Sequence, residues 1–249
     1  MNETNSIDQV MTNLNLCPWN QMEKTFGSPN VKYCEQRICA LVNEPVNAWS
    51  NFLYILIGIY ILFLGYKASK NKYQMTFGAI TIFMGLSSFI YHATNNFLAQ
   101  ILDFIGMYFY VYFLIAQCLV ILNIFSYKKA KLFYFVAIIL STALIPTAYH
   151  FQIHYQGIIL FCIVVVLFLQ FAIYNKNKNE FPIKSISASF SLMGIAAWFS
   201  YADATRIFCI TESPWLQGHA IWHILSALAV GFTYIAFQYQ RKQYDQKFL

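Results

Sequence analysis

Seven apolar runs dominate the chain, separated by short polar connections. They fall at about 48–67, 72–93, 98–126, 129–148, 155–174, 184–208 and 215–238. At ~1.5 Å per residue, each is long enough to cross the ~30 Å hydrocarbon layer of a bilayer, and the third is long enough to tilt. In hydrocarbon, a lone segment satisfies its backbone N–H and C=O groups only as a helix. The pattern therefore predicts an all-α, polytopic membrane protein: an N-terminal segment (1–47), a seven-helix domain (48–238) and a short tail (239–249).

Charge placement adds an orientation. Lys67, Lys70 and Lys72 fall in the first connection, Lys128, Lys129 and Lys131 in the third, and Lys176, Lys178 and Lys184 in the fifth. Arg241, Lys242 and Lys247 lie in the tail, while the second, fourth and sixth connections carry no Lys or Arg. Basic residues accumulate on the cytoplasmic side. The N-terminus is thus expected outside and the C-terminus in the cytoplasm. The first 30 residues are polar and contain no apolar stretch of signal-peptide type. Of the 249 residues 59% are hydrophobic and 10% charged, against ~25% charged in an average soluble domain. No basic stripe or arginine-rich arm suggests a nucleic-acid partner, and no protein partner is inferable. The bilayer is the expected environment.

The six cysteines include no C-x-x-C pair, which argues against a cysteine-based zinc site. Cys17, Cys34, Cys39 and Cys209 fall on the outer side, where up to two disulfides are expected. Cys118 and Cys162 lie within helices, as small polarizable apolar side chains.

Ionisable residues inside the spans are few, and such residues are costly enough to mark function. His219 and His223 are four apart, on one helical face. His92 ends the second run, so all three imidazoles are expected at one depth near the outer face. Three imidazoles with one open position suit a catalytic zinc ion. Asp103 follows His92 by eleven residues across T94-N95-N96 and can orient and deprotonate a water. Ser88 lies one turn below His92 and can stabilise an oxyanion or simply pack. His150 and His154 repeat the four-residue spacing, but in an aromatic, interfacial setting. Asp203 and Arg206, three apart on one helix, are expected to form a structural ion pair.

Together, S88-x-x-x-H92, Asp103 and H219-A-x-W-H223 resemble the alkaline ceramidase family. That family belongs to a group of seven-helix membrane hydrolases that includes the adiponectin receptors. C34-E35 followed by E44-P-V-N47-A-W-S50-N51, and R206-I-F-C209, resemble the same family. The resemblance implies that His92, His219 and His223 hold zinc, that Asp103 activates water and that Ser88 steadies the oxyanion. It implies hydrolysis of the ceramide amide to a sphingoid base and a fatty acid, near the extracytoplasmic face. It also implies a Cys34–Cys209 disulfide, which leaves Cys17 and Cys39 as a possible second pair. Such ceramidases bind calcium through an acidic segment around the C-E pair, which would involve Glu35 and Glu44. Here the segment reads K32-Y33-C34-E35-Q36-R37, with lysine and arginine at positions where the family has an acid and an amide. Lys32 or Arg37 is therefore expected to replace the calcium ion by pairing with Glu35 or Glu44. Two alternatives keep the helices and change the role: a receptor or lipid-binding protein with structural zinc, or a related lipid esterase or phospholipase.

Overall fold

The computed structural model describes residues 17–68, 71–153, 155–209 and 215–246. Its helices are α1 (Asn20–Phe26), α2 (Pro45–Ser50), α3 (Phe52–Lys67), α4 (Lys72–Thr94), α5 (Phe97–Ile121), α6 (Tyr127–His150), α7 (Gln156–Lys176), α8 (Ile183–Ala204) and α9 (Gly218–Gln246). No strand occurs among the described residues. Six stretches are long and apolar enough to cross a membrane: α2 with α3, then α4, α5, α6, α7 and α9. The protein is an integral membrane protein. The expected sixth span, α8, is 22 residues long, but Lys184, the serines at 185, 187, 189, 191 and 200, and Asp203 dilute its apolar character.

Local chemistry sets the helix ends. Asn71, Asn96 and Ser126 each accept a hydrogen bond from a backbone N–H in the first turn of the helix that follows. The T94-N95-N96 turn closes through Asn95, whose φ of 49° is the left-handed conformation that asparagine tolerates. Gly58 and Gly78 let α3 and α4 approach closely: a Cβ on Gly78 would lie 2.7 Å from the Gly58 carbonyl oxygen.

Three boundaries differ from expectation. α5 ends at Ile121, five residues before the expected 126. α9 runs on through Gln246, so the expected tail continues the last helix. Arg241 anchors it there, with its guanidinium over the Tyr127 ring and Nη1 donating to Gln117 Oε1. α8 ends at Ala204, because Arg206 turns the chain with φ 64°. Arg206 thus lies in the connection between α8 and α9, and the alternation of basic and neutral connections is not strict.

α5 is the central helix, packed against α4, α6 and α7, while α9 packs on α8, α3 and α2. α7 and α8, neighbours in sequence, do not pack side by side. A cavity of about 940 Å³ occupies the space between them, walled by α5, α7, α8 and α9. The segment from Gly27 to Glu44 covers one end of it. Asn30 N donates to Gln100 Oε1, and the backbone N–H groups of Asn43 and Glu44 donate to the last carbonyls of α4. Disulfides Cys17–Cys39 and Cys34–Cys209 tie this segment down. Cys118 and Cys162 are free and buried.

Candidate active site

His92 at the end of α4 meets His219 and His223 in the first turns of α9. One ring nitrogen of each lies within 4.8 Å of the others, and all three side chains are buried. The ring centroids form a near-regular triangle with sides of 5.0, 5.0 and 4.5 Å. Gly218 lets the start of α9 lie close to α8, since a Cβ there would sit 3.0 Å from Asp203 Cβ.

The Nδ1 atoms all face protein partners. His92 Nδ1 is 2.7 Å from Glu44 Oε2, and His223 Nδ1 is 3.0 Å from the Asn47 carbonyl and 2.8 Å from Ser50 Oγ. His219 Nδ1 is 3.2 Å from Ser200 Oγ. A backbone carbonyl only accepts, as does an ionised carboxylate, so Nδ1 of His92 and of His223 carries the proton. The Nε2 lone pairs are then left for another partner. Nε2 of His92 is buried without a hydrogen-bond partner. Such an orphan costs ~1–3 kcal/mol unless something electron-poor meets it. Three neutral imidazoles, each held at its far nitrogen by a polar group, are the donor set of a divalent transition metal. The residues present fit such an ion.

Glu44 is buried at the N-terminus of α2. It also accepts from Asn47 Nδ2 at 3.3 Å and from Asn95 Nδ2, and it lies 3.9 Å from Arg37 Nε. Burial pushes its carboxyl up to about 7, against the opposing pull of Asn47, Arg37 and Asn95. Glu35 accepts from the backbone N–H groups of Val46 and Asn47, both at 2.7 Å, so its two oxygens cap α2. Burial raises it too to about 7, against those two hydrogen bonds. Arg37 also pairs with Glu23 at 3.1 Å, whereas Lys32 reaches Glu23 only through long-range charge.

Asp103 and Ser88 both line the cavity beside His219 and His223. Tyr33, from the covering segment, stacks on His219 with ring centroids 3.5 Å apart. Asp203 corrects an expectation. Its oxygens accept from the backbone N–H groups of Cys34 and His219, at 2.8 and 3.1 Å, not from Arg206. The left-handed turn at Arg206 carries the guanidinium away, where it forms a 3.5 Å contact with Cys209 Sγ. His150 lies at the end of α6, against Phe151, and takes no part in the triad; His154 lies outside the described residues.

The groups on Nδ1 escape a search for isolated histidines, because Glu44 is 48 residues from His92, and Ser50 173 from His223. One signal does exist in the sequence: Glu44, Asn47, Ser50 and Asn51 recur at helical spacing on one face, where an apolar span begins.

Comparison with known proteins gives a family for the chain. The family model described as Ceramidase matches residues 27–248. The chain is 26% identical over 222 residues to alkaline ceramidase 1 of Mus musculus, covering 84% of this chain and 78% of the relative. It is 23% identical over 265 residues to alkaline ceramidase YPC1 of Saccharomyces cerevisiae, covering 90% and 82%. It is 25% identical over 223 residues to the alkaline ceramidase of Drosophila melanogaster, covering 86% and 77%. With a match across nearly its whole length and a buried three-histidine cluster to go with it, the chain belongs to the ceramidase family.

Proposed function

We propose that the protein is a zinc-dependent amidase that cleaves ceramide within the membrane to a sphingoid base and a free fatty acid. The observation that carries this reading is the opening of the three-histidine cluster, through His219 and His223 and beside Asp103 and Ser88, onto a mostly apolar cavity. His92, His219 and His223 would hold zinc, which when bound would supply a Lewis acid to acidify water and polarise a carbonyl. The space between α7 and α8 lets a two-tailed lipid enter sideways, with its amide at the histidines and a tail along the cavity.

The chain's own groups move the protons. Asp103 orients the attacking water and takes its proton as the oxygen bonds to the amide carbon. At rest the Ser88 hydroxyl donates to the Asp103 carboxylate. Once Asp103 is protonated it donates back, and the Ser88 proton turns to the developing oxyanion. Asp103 then passes its proton to the amide nitrogen as the C–N bond breaks. The products are the amine and the carboxylic acid.

The same reading makes α8 a seventh span, since 22 residues rise ~33 Å. The N-terminus and the site then lie on the extracytoplasmic side. Two disulfides at that end and lysines at the other support this orientation. Incubation of the purified protein with labelled ceramides, phospholipids and their ester analogues tests the substrate class. Release of fatty acid from ceramide alone is expected; release from the phospholipids alone rejects an amidase.

The calcium site that the resemblance implies around Glu35 and Glu44 is taken over here by Arg37. Glu35 spends its oxygens on backbone amides, Glu44 holds His92, and the Arg37 guanidinium lies between Glu44 and Glu23. Calcium prefers six to eight oxygens. Turnover is expected to stay within about twofold across a calcium titration from micromolar to millimolar; a steep rise would return calcium to the site.

A further inference from the structure

The far end of the cavity carries a feature that the catalytic chemistry does not use. Gln170 of α7 and Gln240 of α9 form a reciprocal amide pair. Gln240 Nε2 donates to Gln170 Oε1 at 2.7 Å, and Gln170 Nε2 lies 3.4 Å from Gln240 Oε1. Gln170 Nε2 also lies 3.4 Å from Cys118 Sγ. Both glutamines are buried.

The pair stands at a partition. Gln170 and Phe237 line the large cavity, whereas Gln240 lines a second cavity of about 240 Å³ with Lys176, Asn177 and Gln243. On α9, His219, Ser226, Thr233 and Gln240 recur every seven residues, so Gln240 lies on the stripe that descends from the histidines. At 1.5 Å per residue it sits about 25 Å beyond His223, most of the ~30 Å hydrocarbon thickness.

We infer that the Gln170–Gln240 pair is the floor of the lipid cavity and sets the greatest length of alkyl tail the site accepts. This rests on the amidase reading for the identity of the lipid but not for the geometry. The block is steric: the two amides satisfy each other across the α7–α9 gap and close the way into the second cavity. A tail that exceeds the floor must break both hydrogen bonds or lift the amide away from the histidines. Either loss is felt at each added methylene, with roughly tenfold effects on kcat/KM.

The test compares wild type with Gln170→Ala/Gln240→Ala, which opens the partition, and Gln170→Met/Gln240→Met, which conserves volume without the amides. One set of ceramides varies the acyl chain with the sphingoid base constant, and another does the reverse; the set that shows a cut-off identifies which tail reaches the floor. The double alanine variant is expected to raise kcat/KM roughly tenfold for chains just past the wild-type limit, with shorter chains unchanged. The double methionine variant is expected to keep the wild-type limit. An unchanged profile in the alanine variant overturns the proposal, as does a shift of the limit by methionine equal to that by alanine. Protection of the same proteins against heating by free fatty acids of graded length reads the floor without turnover. If no ceramide is cleaved but that cut-off still moves in the alanine variant, the amidase reading falls and the floor stands. If the thermal cut-off is absent or immobile, the floor falls.

Discussion

His223→Ala is expected to lose bound metal and nearly all turnover, a fall on the order of 10³-fold or more. The argument lies in the geometry of its ring. Nδ1 is held by the Asn47 carbonyl and by Ser50, which points the other nitrogen toward His92 and His219. Two imidazoles hold a divalent ion far less firmly than three, and alanine leaves Asn47 and Ser50 no ring to orient. His219→Ala should behave alike. Glu44→Ala is a graded control, because it keeps all three rings and removes the acceptor at His92 Nδ1, together with the contacts to Asn47, Asn95 and Arg37. Loss of such a partner costs about 10–100-fold in metal affinity. Metal content measured on purified protein beside turnover decides the matter. A His223→Ala protein with full metal and full rate would remove the site.

The second large effect is at Asp103. Asp103→Asn is expected to keep the metal but lower kcat on the order of 10²–10⁴-fold, since an amide cannot take the water's proton. Asparagine is nearly isosteric, so the cavity persists. Ser88→Ala removes a hydroxyl that serves both Asp103 and the oxyanion, at a cost of roughly 10²-fold or more. The two side chains line one cavity and serve the same proton path in the proposed reaction, so their effects should not add: the double variant is expected close to Asp103→Asn alone. Full additivity would mean that Ser88 acts independently of Asp103. Retained turnover in Asp103→Asn would end its role as base.

Much of the architecture was legible in the chain because it depends on one segment at a time. Length and apolar content mark a helix that crosses a membrane wherever its neighbours stand, and α3, α4, α6 and α7 follow their apolar runs closely. The four-residue spacing of His219 and His223 puts both on one face by helical geometry alone. Boundaries were less legible where polar residues continue a helix, as at Arg241 in α9, or where one backbone torsion ends it, as at Arg206 after α8.

The sequence by itself thus determined an all-helical membrane chain with its scarce ionisable groups gathered at the ends of a few helices, because hydropathy and periodicity are local. Only the tertiary structure decided what those groups do to one another. The approach of Glu44 to His92, the turn of Asp203 from Arg206 to the Cys34 and His219 amides, and the separation of α7 from α8 each depend on how helices rotate and cross. Those angles are set by packing across the whole bundle, and no single stretch of chain encodes them.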